Sequence, residues 1–179
     1  MAVLVEAISL VIRSDALLAT FDDWHAFKQT VPNATLCADG ELVRIGFMTA
    51  EDVQHSVQAL ESRGLRYIEA GEARDMVVVD QFRGPVGKCD WVEFGRIALD
   101  NAGKQQVAAC RLAGSRSNTL MKPDGWTYQE SLSRSYGFSS RQSGKDGLRF
   151  LRHESGIDVY WNELTGKEVF VGRTSDEPS

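Results

Sequence analysis

An α+β fold is what this sequence predicts, and three observations carry the prediction. Residues 3–12 form a run rich in β-branched side chains. Asp39-Gly40 sits between two short apolar runs, 35–38 and 41–48. Ala50, Val53, Val57 and Leu60 then recur at helical spacing. The 179 residues are 42% hydrophobic and 25% charged, which excludes a mainly disordered chain or a disulfide-dense scaffold. A chain of this length buries roughly 70% of the surface its unfolded form exposes, enough for one core.

The elements follow in order. Residues 3–12 read as a strand covered on both faces. Ser14 is a candidate cap for a helix through Ala16, Leu17 and Leu18. Asp22 or Asp23 starts a second short helix carrying Trp24 and Phe27, and Pro32-Asn33 ends it. Asp39-Gly40 predicts a two-residue hairpin turn in which Ala38 faces Glu41, Cys37 faces Leu42 and Leu36 faces Val43. Strand alternation then puts Leu36, Val43, Ile45 and Phe47 on one face, under the helices. Cys37, Leu42, Arg44 and Gly46 share the other. Thr49 opens a third helix with Asp52 at the capping-box position, and Gly64 ends it. Residues 65–68 read as a short strand.

The order over residues 1–70 is therefore β-α-β-β-α-β, the ferredoxin-like order, with both helices on one face of a sheet. Such an order carries no function by itself. Residues 76–82, 91–99 and 105–112 read as antiparallel strands that extend the first part into a larger, mostly antiparallel sheet, the alternative being a second small sheet. Residues 113–147, rich in Ser, Gly and Arg, read as a long, partly mobile excursion with a turn at Asp124-Gly125-Trp126. Residues 148–153, 157–161 and 168–171 read as closing strands. The whole, 1–175, is expected to be a single α+β domain made of 1–70, 75–112, 113–147 and 148–172.

The formal net charge is −5 and argues against wholesale nucleic-acid binding. It is unevenly spread: −6 over residues 1–110, +5 over 111–153 and −4 over 154–179. Cys37, Cys89 and Cys110 are an odd, widely spaced set without a CxxC, which points away from a disulfide framework or a zinc ribbon. Residues 1–13 carry Glu6 and no basic leader, so they read as a strand and not as a signal peptide. No run approaches the roughly 18–20 apolar residues of a membrane helix. A cytoplasmic location is the expectation.

Three constellations are candidate sites. The first is the sheet face turned away from the helices, with Glu6, Cys37 and Arg44, joined by Asp80 and Glu93 from later strands. A carboxylate among apolar neighbours can be held protonated and act as an acid or base. The structural alternative pairs Glu6 and Glu93 with Arg44, Arg96 or Arg111, and such pairs are commoner than catalytic ones.

The second is Cys89 beside Lys88, whose charge would favour a thiolate. A nucleophilic cysteine also needs a base. His55 is expected to face solvent, His153 sits among charges, and His25 lies next to Trp24. Gly84, Gly87 and Lys88 do not make a phosphate loop, because the spacing is too short and a strand follows.

The third is the basic, aromatic stretch 111–152. There Trp126, Tyr128, Tyr136, Phe138 and Phe150 alternate with Arg116, Lys122, Arg134, Arg141, Lys145 and Arg149. It would suit stacking on a single-stranded nucleic acid or a phosphorylated ligand, or a protein interface, or simply anchor the excursion to the core. Metal-ligand spacings are absent, so neither a metal nor a cofactor is expected.

The sequence thus points to a non-enzymatic binding module for a protein partner or a small ligand. Its site would comprise Trp91, Glu93, Arg44, Cys37, Arg111, Trp126 and Tyr128. The competing expectation is a small-molecule enzyme using Glu93 with Asp80 or Glu6, or the Cys89 thiolate. No membrane contact is expected in either case.

Overall fold

The run at residues 3–12 is not one strand but two, in two different sheets. The computed structural model describes residues 1–117, 119–135, 148–154, 157–162 and 167–172. Within it β1 (Ala2–Val5) and β2 (Ile8–Arg13) are separated by Glu6 and Ala7. Ala7 has φ 48°, in the left-handed region that an alanine rarely adopts. Gln81 holds this bend on both sides. Its Oε1 accepts from the Ala7 N–H at 2.7 Å, and its backbone N–H donates to the Ala7 carbonyl at 2.9 Å. The expectation of burial on both faces is met, since residues 2–12 are all buried.

After β2 come α1 (Ser14–Thr20) and α2 (Trp24–Lys28). Ser14 is the first helical residue and not the cap, while Asp23 caps α2 by accepting from the Ala26 N–H at 2.7 Å. The hairpin of β3 (Cys37–Ala38) and β4 (Leu42–Phe47) forms, but two residues out of the predicted register, with Cys37 opposite Arg44 and Ala38 opposite Val43. Gly40 alone takes positive φ there, and Asp39 Oδ1 accepts from the N–H groups of Glu41 and Leu42. The turn is thus centred on Gly40-Glu41. A shift of two leaves every side chain on its predicted face.

Next, α3 (Ala50–Glu61) is capped by Thr49 Oγ1, which accepts from the Asp52 N–H at 3.1 Å, and buries Val53, Val57 and Leu60. Gly64, at φ 114°, ends it as expected.

The strand expected at 65–68 is instead a small separate hairpin of β5 (Ile68–Glu69) and β6 (Glu72–Ala73). Ile68 and Glu69 are exposed, whereas β7 (Met76–Asp80) is buried at every position and takes the inner place beside β2. A run of three valines demands cover on both sides, and only that place supplies it. With β8 (Gly84–Pro85) the first sheet has the order β3-β4-β2-β7-β8, its paired neighbours antiparallel.

The later strands do not extend this sheet. β9 (Val92–Ala98), β10 (Gln106–Leu112) and β11 (Leu120–Met121) join β1 in a second sheet of order β11-β1-β10-β9. Two cores result. Ile8, Leu10, Ile12, Val43, Ile45 and Met76 meet Leu17, Phe27, Val53 and Val57 of the helices. On the other face of the first sheet, Val11, Leu42, Val77 and Val79 meet Val3, Val5, Ala108 and Cys110 of the second. Each fully buried Val, Leu, Ile, Phe or Met side chain among them contributes about 1.5–3 kcal/mol.

A 3₁₀ turn at Tyr128–Glu130 leads into α4 (Leu132–Ser135), which packs on β10. β12 (Leu148–Glu154), β13 (Ile157–Asn162) and β14 (Lys167–Gly172) form an antiparallel three-stranded sheet. Tyr136, Phe138, Arg141 and Lys145 of the basic, aromatic stretch lie outside the described residues, as do the side chains of Arg149, Phe150 and His153. No helix among the described residues is long and apolar enough to cross a membrane.

Candidate functional site

The sheet face turned away from the helices is the interior of the sandwich, covered by the second sheet. Cys37 is buried there, and burial pushes its thiol up. Arg44 lies on the same face and is 2% exposed. Its guanidinium has five N–H donors. Nε donates to Ser9 Oγ at 2.9 Å, Nη1 to the Thr35 carbonyl at 3.2 Å and Nη2 to the Glu6 carbonyl at 3.2 Å. Among the described residues, two donors, one on each Nη, have no acceptor, and no carboxylate lies within ion-pair distance of the guanidinium. Burial lowers the Arg44 pKa, while Cys37 and Glu6 act in the opposite sense.

Gly46, two residues along β4, makes room for that head group. A Cβ there would lie 2.5 Å from Nη2. The neighbouring strand edge is completed by side chains instead of a ladder. Asn33 Nδ2 donates to the Gly46 carbonyl at 2.8 Å, and Thr35 Oγ1 accepts from the Gly46 N–H at 2.7 Å.

Glu6 sits at the strand break, 8% exposed. Its Oε1 accepts from the N–H of Ser133 at 2.9 Å and from the Ser133 hydroxyl at 2.6 Å. Its Oε2 accepts from Trp126 Nε1 at 3.2 Å. The loop before α4 is therefore clipped to the sheets through one carboxylate. Trp126 follows a turn in which Gly125 has φ 75° and the Trp126 N–H donates to the Pro123 carbonyl at 3.1 Å. The ammonium of Lys122 lies 5.2 Å from the centre of the Trp126 ring.

These pieces enclose a cleft of about 800 Å³. Its walls come from the strand break at Glu6 and Ala7, the segment 32–35, β4 with Met48, the first turns of α3, and the loop 123–126 with Leu132. Met48, Pro123 and Trp126 give it apolar surface. Arg44, Asn33 and Thr35 give it polar groups. His55 is exposed, as its helical position predicts, and lies on the rim with Asp52 and Ser56. No hydrogen bond joins Asp52, His55 and Ser56 to one another.

Of the binding and catalytic site residues expected from sequence, Arg44, Glu6 and Trp126 meet in this cleft. Trp91 is half-buried, with Nε1 donating to the Ala73 carbonyl at 2.9 Å. Glu93 faces Arg111 across β9 and β10 and accepts from its Nε at 2.6 Å. That bond, with Gly114 N–H, holds the Glu93 carboxyl below its ordinary pKa. Asp80 is buried and accepts from the N–H groups of Phe82 and Arg83 at 2.8 and 2.9 Å, stabilising the turn after β7. Tyr128 is half-buried, and burial raises its hydroxyl pKa.

Cys89 is half-buried and its thiol is raised by burial, the reverse of what a nucleophile needs. Lys88 beside it is paired with Glu72. No group of His, Cys, Asp and Glu among the described residues could hold a metal ion.

No family model, no curated protein and no solved structure matches this chain. The chemistry of the cleft is read from its own walls. Ser133, Ser9, Thr35 and Gly46 had no signal as site residues, because each acts by holding Glu6 or Arg44. Gly46 is the partial exception: a glycine two places from an arginine inside a strand marks a spot where a large side chain can lie flat.

Proposed function

We propose that this chain is a non-enzymatic binding module that takes a small amphipathic ligand in the cleft between β4, α3 and the loop carrying Trp126. The observation that carries the reading is Arg44, a buried cation with two unused N–H donors in the wall of a concave, largely apolar space. Ligand sites combine a few convergent polar groups with apolar walls in this way, at volumes of about 300–1,000 Å³. A small ligand is favoured over a protein partner because the groups are recessed, and because Glu93 and Arg111 on the outer surface already satisfy each other. The enzymatic alternative has less support, since Asp80, Glu93 and Cys89 stand outside the cleft and Glu6 spends both oxygens on the loop.

The finer architecture is part of the same proposal. We read residues 8–80 as a ferredoxin-like unit, supported by the antiparallel order β3-β4-β2-β7 and by helices against one face. We read the compartment as the cytoplasm, supported by three free cysteines.

Screening small soluble fragments against the ¹⁵N-labelled protein tests the binding site. The expected hits move the Trp126 indole N–H and the backbone signals of residues 33–35 and 46–48. Hits confined to the Glu93–Arg111 surface, or none at all, would overturn the reading.

A further inference from the structure

Building on that reading, we infer that the ligand carries a single carboxylate, which docks on the two unused Nη donors of Arg44 with its apolar body against Trp126 and Met48. The guanidinium is planar, and its remaining donors, one on each Nη, suit the two oxygens of a planar oxyanion. The head group is fixed before any ligand arrives. Ser9, the Thr35 carbonyl and the Glu6 carbonyl hold it, and Gly46 leaves the space in which it lies.

The charge of the ligand follows from the surroundings. A buried cation without a carboxylate is incomplete, and one negative charge completes it. Two charges exceed what the cleft accommodates. Glu6 already lines it, and Asp52 and Asp124 stand on its walls, opposed beside Arg44 by the Lys122 ammonium over Trp126. A phosphate dianion would meet three carboxyl groups, whereas a carboxylate brings half that repulsion. The apolar share of the walls calls for an aromatic or alicyclic body on the acid.

The experiment compares three probes of one shape on the wild-type chain: 2-naphthoate, 2-naphthamide and 2-naphthyl phosphate. Titrations are followed by NMR at the Trp126 indole N–H and the Arg44 Nε–H. The expected result is naphthoate binding at least roughly tenfold tighter than the amide and tighter than the phosphate, as a charge-assisted bidentate contact predicts. Both N–H signals should shift.

Equal binding of acid and amide, with the Trp126 signal shifting, overturns the carboxylate inference and leaves the cleft as a binding site. Tighter phosphate binding overturns the single-charge assignment. Silence of both signals with all three probes overturns the inference and the reading beneath it. Arg44→Lys keeps the charge and removes the fork, so it should erase the preference for acid over amide. If that variant does not fold, the wild-type comparison decides alone.

Discussion

The carboxylate of Glu6 holds both the backbone N–H and the hydroxyl of Ser133, 127 positions away, at 2.9 and 2.6 Å. The other oxygen of Glu6 takes the Trp126 indole N–H, and its main-chain carbonyl takes Arg44 Nη2. One residue thus ties the loop 123–135 to the strand break and to the buried cation. The cleft exists because these ties hold its two walls at a fixed separation.

Removing that carboxylate should loosen the loop before it unfolds the sheets. Glu6→Ala leaves three donors without an acceptor, at a cost of about 3 kcal/mol or more in unfolding free energy. Glu6→Gln keeps an acceptor for Ser133 but turns an N–H toward the Trp126 indole N–H, and should cost about 1–2 kcal/mol. Hydrogen exchange checks the locality. Amides in 123–135 should speed up in Glu6→Gln, while those of β2 and β4 stay protected. Uniform acceleration across both sheets would mean that the clip is not local.

The bend at Ala7 gives a second expectation. Gln81 is fully buried, and its carbonyl oxygen is the acceptor for the Ala7 N–H. Gln81→Met keeps the volume and removes the acceptor, so urea denaturation should show a loss of about 1–3 kcal/mol. An unchanged midpoint would show that the left-handed turn at Ala7 is held by the flanking strands alone.

Sequence patterning found the faces of the first sheet because period-two alternation survives an even register error. Cys37, Leu42 and Arg44 stand on the predicted side although the hairpin closes at Gly40-Glu41. The break at Glu6-Ala7 was not legible, since its cause is Gln81, more than seventy residues away. The place of β7 was missed for a related reason. Residues 65–68 offered an earlier apolar run, and only the packing of the second sheet shows that the triple valine must be inside. Of the site, Arg44, Glu6 and Trp126 were visible as unusual residues, but their meeting depends on the strand break.

The thiols give a pH expectation. Burial raises the Cys110 pKa to about 12, against an ordinary value of 9.0, and raises Cys37 as well. Between pH 9 and about 12 the unfolded chain releases the Cys110 proton while the folded chain keeps it. The folded state then binds more protons, so stability falls as pH rises through this window, by about 1.4 kcal/mol per pH unit. Below pH 9 both states are protonated and Cys110 adds no slope. Urea midpoints of the wild type and Cys110→Ala, measured under reducing conditions from pH 7 to 11, isolate this contribution from other alkaline groups. Parallel curves would refute it. At neutral pH, iodoacetamide should modify Cys89 more slowly than a free thiol, and Cys37 and Cys110 only after unfolding.

Gly46 and Gly95 make a matched pair for the last prediction. Both are glycines inside strands and outside the left-handed φ region, so adding a methyl group costs no backbone strain at either. They differ in what that methyl group meets: nothing within 4 Å at Gly95, but Arg44 Nη2 at 2.5 Å at Gly46. The far end of an arginine usually gives way cheaply. Here it cannot, because moving the guanidinium breaks bonds to Ser9, Thr35 and Glu6 inside the fold. Gly46→Ala should therefore cost about 1–3 kcal/mol and shift the Arg44 Nε–H signal. Gly95→Ala should be neutral or stabilising by up to about 1 kcal/mol, because alanine restricts the unfolded chain. If Gly46→Ala is as stable as Gly95→Ala and the Arg44 signal does not move, the guanidinium is not confined over Gly46, and the pre-fixed anion site loses its floor.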